Sequence, residues 1–373
     1  MATLKVNVNK LNVRTSPVKD FDNKENVIGV LQKNAVFESV RVIENELGSW
    51  HVNEKGDTIS GNYVSTVEGD IPPELMKYHD KIPKIFLDFH LGKLWQLPMQ
   101  EGLKVGIIEQ GHVKKHPAIK AGIKILKWKE DDQQGQDGKA RVLIEEQAEE
   151  SGAEINHTTT MALIIAGNDP ENGIIGVAPG VKEIYSYSLL SNQATPNEIL
   201  EALQAMEAKN VKLINMSYSV TSDTFKVAEE LQEKITRMKQ DGFVIIAATG
   251  NNSCHERSYY PAAYNDIISV TGVYKDLTRD RNSNFWEGVK VCMCTDYYLN
   301  STFFEKSNAT SGATATITGS IAHVLNIVAN QSEVSNKIMT YLSQLNKVVF
   351  EYDELKVPVP LFDGKLFFDL INK

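Results

Sequence analysis

Cysteine is scarce in this chain: Cys254, Cys292 and Cys294 are the only three. An odd, sparse set argues against a disulfide framework. With no further Cys or His close by, Cys292 and Cys294 lack the four ligands of a structural zinc site, and buried thiols are the expectation. No apolar run approaches the roughly 20 residues that span a bilayer. No basic cluster offsets the formal charge of −9, which argues against nucleic acid or an anionic membrane as partner. Met1-Ala2-Thr3-Leu4-Lys5-Val6 lacks the charged start, long apolar stretch and small-residue cleavage site of a secretory signal, so a cytoplasmic location is expected. There is no internal repeat. What remains is an ordinary globular composition, 42% apolar over 373 residues, enough for two or three domains.

Residues 1 to about 66 read as strands. Leu4, Val6 and Val8 alternate with polar residues, as do Trp50 and Val52. Turn signals at Ser16-Pro17 and Lys55-Gly56-Asp57 break the runs, and no helical period is present. Short strands without helices suggest a small barrel. The runs Leu11-Asn12-Val13-Arg14-Thr15-Ser16-Pro17, Val27-Ile28-Gly29-Val30-Leu31, Gly48-Ser49-Trp50-His51-Val52 and Gly61-Asn62-Tyr63-Val64 resemble the bacterial SH3-like domains. The resemblance implies an all-β barrel that binds a peptide, a partner protein or the cleft of the following domain; a docking or spacer module is the alternative. Where that family carries Gly-Trp, this chain has Ser60-Gly61-Asn62.

A charged connection follows over residues 67–90, with Glu68-Gly69-Asp70-Ile71-Pro72-Pro73 and Lys81-Ile82-Pro83. From about residue 91 to 373 the pattern changes. Strand-length apolar runs (Val105–Ile108, Ile184–Leu189, Leu213–Met216, Val244–Ala248, Ile267–Val273) alternate with helical stretches (Ala162–Ala166, Glu198–Ala208, Phe225–Gln240, Ala315–Asn330). Apolar strands separated by helices predict an α/β fold, a doubly wound parallel sheet with its sites at the carboxyl ends of strands. Lys127–Glu154, rich in Glu, Asp, Gln and Gly, reads as a long solvated hairpin or loop.

Four positions carry candidate chemistry. Glu109 follows Val105-Gly106-Ile107-Ile108 at a strand end, where a carboxylate can brace an imidazole; pairing with Lys114 is the bland alternative. His157 opens the run Met161-Ala162-Leu163-Ile164-Ile165 and suits a general base, or a satisfied structural histidine. Ser311 lies in the small-residue stretch Ala309-Thr310-Ser311-Gly312-Ala313, open to a substrate and near a helix N-terminus that favours negative charge; capping that helix is its alternative. Asn251, after Ala247-Ala248-Thr249-Gly250, suits an oxyanion donor, though Gly-Asn after a strand is also a turn signal. The order acid, His, Ser is that of one known serine-hydrolase triad.

Together these segments resemble the subtilisin-like serine proteases, or subtilases. Leu94-Trp95 with Gly102-Leu103-Lys104-Val105-Gly106-Ile107-Ile108, Asn172-Gly173-Ile174-Ile175-Gly176-Val177-Ala178-Pro179-Gly180, Leu213-Ile214-Asn215-Met216-Ser217, Ala247-Ala248-Thr249-Gly250-Asn251 and Tyr260-Pro261-Ala262-Ala263-Tyr264 carry the likeness. It implies a Glu109/His157/Ser311 triad, Asn251 as oxyanion donor, and Ser217-Tyr218-Ser219 as a backbone edge for a peptide or protein substrate. An oxyanion donor of this kind is worth about 3–4 kcal/mol, a value measured on subtilisin. No cofactor is required; calcium is frequent in the family, but its ligands are not legible here. The chain departs from the family at several points. Glu109 stands for Asp, which moves the carboxylate by about 1.5 Å. Thr158-Thr159-Thr160 replaces Gly-Thr-His and sets branched side chains beside the nucleophile, Ala309 and Ala315 replace Gly and Pro, and Ser219 replaces a Gly, narrowing the cleft. An endopeptidase of narrow specificity and a pseudoprotease that binds without cutting are the two expectations.

Overall fold

The computed structural model describes residues 81–130, 141–295, 309–325 and 333–372, apart from positions 98, 100, 153, 154 and 192, together with strand segments and turns between residues 2 and 67 and positions 75 and 78. Val8, Ser16-Pro17, Gly56, Gly61-Asn62-Tyr63, the Glu68–Pro73 part of the connection, residues 131–140, Asn308 and residues 326–330 lie outside the described residues. The chain divides into two units, Met1–Asp80 and Lys81–Lys373.

The first unit is built from strands: β1 (Ala2–Val6), β2 (Lys10–Arg14), β3 (Val27–Gln32), β4 (Val36–Ser39), β5 (Arg41–Asn45), β6 (Gly48–Val52), β7 (Thr58–Ser60) and β8 (Val64–Val67). They pair antiparallel in a three-stranded sheet, β4-β1-β8, and a five-stranded sheet, β3-β2-β7-β6-β5. Trp50 and Val52, two apart and so on one face, are both buried, with Ile59 and Phe37.

The second unit holds the remaining elements. They run α1 (Lys84–Asp88), a 3-10 turn (Leu91–Gln96), β9 (Lys104–Gln110), β10 (Gly122–Glu130), β11 (Arg141–Gln147), α2 (His157–Ala166), the short β12 (Asn168–Asp169) and β13 (Ile174–Ile175), β14 (Glu183–Leu189), α3 (Pro196–Ala208), β15 (Leu213–Met216), α4 (Asp223–Lys226), α5 (Glu229–Gln240), β16 (Val244–Ala248), β17 (Ile268–Val273), β18 (Val291–Cys294), α6 (Ala309–Ala322), α7 (Val334–Ser343), β19 (Lys347–Tyr352), β20 (Leu355–Pro360) and α8 (Gly364–Ile371). One eight-stranded sheet, ordered β11-β10-β14-β9-β15-β16-β17-β18, forms the centre. β10, β14, β9, β15, β16, β17 and β18 run parallel, and every residue of β15, β16, β17 and β18 is buried, as strands covered on both faces must be. The sheet is not wholly parallel: β11 returns antiparallel to β10 as an edge strand. Lys127 and Lys129 pair with Glu146 there, at 2.6 and 3.6 Å, and such charges suit an exposed edge.

The helices differ from expectation at two points. The stretch expected as one helix over Phe225–Gln240 is broken after Lys226 into α4 and α5. The helix expected from Ala315 begins at Ala309; along it Thr314, Thr316, Thr318 and Ser320 each donate a hydroxyl hydrogen bond to the carbonyl four residues back, which satisfies these buried hydroxyls. Ser311 is thus inside the first turn of α6 and does not cap it. α2 starts with an Asn156 cap whose Oδ1 accepts from Thr159 N–H at 2.8 Å, and α3 with a capping box between Thr195 and Glu198. Gly176 lies against α2 so closely that a Cβ would stand 2.4 Å from Gly167 N, which explains a glycine there. Cys292 and Cys294 are buried free thiols, and burial raises the Cys292 pKa. Among the described residues, no helix is long and apolar enough to cross a membrane.

Candidate active site

The strand order reverses around β9: β14 and β10 lie on one side, β15 to β18 on the other. At such a reversal of strand order, the loops leaving the carboxyl ends of neighbouring strands diverge, which is where sites gather in open α/β sheets. Glu109, the penultimate residue of β9, is 3% exposed at that edge. β9 and β15 pair with Asn215 opposite Ile107, so Ser217 continues toward the level of Glu109.

His157 is the first residue of α2. Its Nδ1 stands 3.4 Å from Glu109 Oε2, so the acid pairs with the imidazole and not with Lys114. Glu109 Oε1 is buried without a hydrogen-bond partner. Burial acts to lower the His157 pKa, but the hydrogen bond and the negative charge of Glu109 outweigh it and hold the imidazole above its ordinary value. The side chain is crowded rather than sealed, for 48% of it stays exposed. The hydroxyls of the threonines after His157 are engaged in hydrogen bonds of their own. Thr158 Oγ1 donates to the carbonyls of Gln110 and Gly111, Thr159 Oγ1 accepts from Lys114 N–H, and Thr160 Oγ1 donates to Asn156 O. Thr158 and Thr159 thus fasten α2 to the end of β9 and the loop after it.

Ser311 is 7% exposed. Its Oγ donates to Ser217 O at 3.1 Å, while Ser217 Oγ donates to Ser311 O at 2.9 Å. Behind this reciprocal pair, Asn215 Nδ2 donates to Ser217 Oγ and Thr318 Oγ1 donates to Asn215 Oδ1, at 3.0 and 2.9 Å. These buried bonds join α6 to β15. Among the described residues no hydrogen bond links His157 to Ser311.

Asn251 leaves the loop after β16. Thr310 N–H donates to its Oδ1 at 3.1 Å and Thr310 Oγ1 at 2.8 Å. A backbone N–H can only donate, so the atom facing it is the carbonyl oxygen and the Asn251 Nδ2 is left as a donor. Gly250, at φ +97°, lies against Ser219 so tightly that a Cβ would meet Ser219 Oγ at 2.5 Å. Tyr218 is buried and its OH accepts from Ala194 N–H at 2.9 Å, so its side chain serves the scaffold.

The structure thus joins Glu109 to His157, Ser311 to Ser217, and Asn251 to the residue before Ser311. Sequence reading missed Thr310 as the group that orients Asn251, although it lay inside the segment quoted for Ser311. Among the described residues, no group of three or more His, Cys, Asp or Glu could hold a metal ion, so calcium is assigned no ligands.

The sequence matches the model of the Subtilase family (Peptidase_S8) over residues 100–345, about two thirds of the chain. It is 28% identical over 193 residues to the Major intracellular serine protease of Bacillus subtilis (strain 168), covering 49% of this chain and 56% of that protein. The chain therefore spans only a little over half the length of that relative. Identity to the Intracellular serine protease of Paenibacillus polymyxa is 24% over 275 residues, 70% of this chain and 79% of that one. Among solved structures, the prenylagaramide maturation protease PagA superposes with a TM-score of 0.58 at 16% identity, covering 75% of this chain and 98% of PagA. The nisin leader peptidase NisP from Lactococcus lactis gives 0.54 at 17% identity, with 79% and 94% covered. At such identities the structural likeness speaks for the fold alone. With the family match spanning most of the Lys81–Lys373 unit, the chain belongs to the subtilase family of serine-type peptidases.

Proposed function

We propose that this chain is a serine endopeptidase in which Ser311 is the nucleophile, His157 the general base, Glu109 the acid that orients His157, and Asn251 with the Ser311 N–H the oxyanion donors. The observation that carries the reading is a buried carboxylate at the carboxyl end of β9 paired with His157 at 3.4 Å. In the proposed cycle Ser311 Oγ attacks the scissile carbonyl carbon as its proton passes to His157. Glu109 stabilises the imidazolium. The oxyanion accepts from Asn251 Nδ2 and from the Ser311 N–H, in the first turn of α6, where amides have no partner within the helix. Collapse of the tetrahedral intermediate expels the amine with the proton from His157, and water then cleaves the acyl-enzyme by the same steps in reverse.

At rest the Ser311 hydroxyl donates to Ser217 O, so it must turn to reach His157. A peptide laid along Ser217, Tyr218 and Ser219 offers its own N–H to that carbonyl and releases the hydroxyl. Narrow specificity is part of the reading, resting on Ser219 in place of the family's Gly beside the peptide edge. Peptide or protein is the substrate class. The N-terminal strands, packed on Trp50 and Ile59, support an SH3-like module that docks a peptide or partner.

Labelling with a fluorophosphonate probe tests the reading. The wild type forms a covalent adduct that Ser311→Ala does not, and peptide hydrolysis falls at least about 10⁴-fold in that variant. A folded wild type that neither labels nor cleaves any of a broad peptide library leaves the fold as a binding module and ends the enzyme case.

A further inference from the structure

Asn284 lies in the loop between β17 and β18 and is fully buried. Nearly all of its polar contacts go to one short segment, residues 249–254. Its backbone N–H donates to Gly250 O at 2.8 Å. Its Oδ1 accepts from Asn252 N–H at 2.9 Å and Cys254 N–H at 2.8 Å, and its Nδ2 donates to Thr249 O at 2.9 Å. Its own carbonyl accepts from Thr249 Oγ1 and Thr271 Oγ1, both at 2.7 Å. Both sides of Asn251 are therefore held by one residue: the carbonyl of Gly250 before it and the amide of Asn252 after it.

The segment needs such a hold. It contains two residues in the left-handed region, Gly250 at φ +97° and Ser253 at +56°, a conformation costly for a residue with a Cβ. Asn251 is itself exposed, and among the described residues its side chain is held where Oδ1 meets Thr310. A donor that acts on a developing oxyanion must already point at it, and misplacement by about 1 Å can cost on the order of 100-fold in rate.

We propose that Asn284 is a positioning residue for the oxyanion hole: by gripping Gly250 O and Asn252 N–H it sets the direction of the Asn251 amide. This rests on the proposed peptidase reading of the site. It makes Asn284 act through Asn251 and not on the substrate.

The test is a double-mutant cycle on peptide hydrolysis with Asn251→Ala, Asn284→Ala and the pair, beside a crystal structure of Asn284→Ala. Removing Asn251 is expected to lower kcat by about 10²–10³-fold. Asn284→Ala is expected to lower kcat by roughly 10–100-fold with KM changed much less. The double variant is no slower than Asn251→Ala, because the donor being aimed is already gone. In the crystal structure, Asn251 Oδ1 has left Thr310. Additive losses in the cycle, an unchanged kcat, or an Asn251 side chain still seated on Thr310 each overturn the proposal. A wild type without activity whose Asn251 moves in Asn284→Ala sinks the peptidase reading alone; one whose Asn251 stays sinks both.

Discussion

His157 sits between two opposed influences. Crowding by the chain disfavours its charged form, and the Glu109 carboxylate favours it more strongly, so its pKa lies above the ordinary 6.5. A base must be neutral to accept the Ser311 proton, so the acidic limb of kcat/KM is expected to have its midpoint above pH 6.5. The stability sign runs the other way. A histidine with a raised folded pKa stabilises the fold fully below its unfolded pKa, and that contribution disappears as pH rises through the folded value. The ion pair is therefore weakest at the pH where the base works. Glu109→Gln keeps the size of the side chain and removes its charge. It is expected to lower kcat by about 10³-fold or more through loss of imidazolium stabilisation, and to move the acidic limb to lower pH. A pH–rate profile that keeps its midpoint in Glu109→Gln would remove Glu109 from the site.

Helix α6 ends at a second histidine with the opposite character. His323, just past its last turn, is 2% exposed. Its Nε2 donates to Val177 O at 2.8 Å, a carbonyl that also accepts from Trp95 Nε1, and its buried Nδ1 has no partner. Burial pushes its pKa down to about 4. Between that value and 6.5 the unfolded chain binds the extra proton, so stability is lost as pH falls. With a folded value of about 4 against 6.5, linkage makes the loss about 2 kcal/mol at pH 5. His323→Leu leaves Val177 O bonded to Trp95 and removes the titration. The drop in Tm between pH 7 and pH 5 is expected to shrink by several degrees in that variant; an equal drop in both proteins would clear His323 of the effect. Elements of this kind were unevenly legible in the sequence. β9, β14, β15, β16 and β17 stand out as continuous apolar runs because helices cover both faces. β10 and β11 do not, because an edge pair alternates Lys, Glu and apolar residues. The start of α6 was hidden by its small and hydroxylated residues, which satisfy themselves along the helix and leave no period to read. Asn251 could be found because it closes a strand. Asn284 could not, since its partners lie some thirty residues away in the chain and nothing in Ser283-Asn284-Phe285 signals them.

At the scale of the whole molecule, the last elements of the Lys81–Lys373 unit close on its first. Gly364 N–H donates to Phe89 O at 2.8 Å, His90 Nδ1 stands 2.8 Å from Asp363 Oδ2, and Lys93 covers the Phe368 ring at 4.9 Å. A Cβ on Gly364 would meet His90 O at 2.3 Å, so the approach admits only glycine. Phe362 and Phe367 are fully buried in this seam. This seam ties the segment Asp363–Phe368 to Phe89–Lys93, so the first and last elements of the unit share one packed contact, and chain ends at the surface commonly tolerate permutation. Joining Asn372 to Lys81 through a flexible glycine-serine linker long enough to span the two ends, and opening the backbone instead in the exposed turn Lys275-Asp276-Leu277, should yield a soluble permutant with one cooperative melt and the same Ser311 adduct. If the permutant stays unfolded where the unpermuted residues 81–373 fold, the seam is a consequence of chain order and not a cause of the fold.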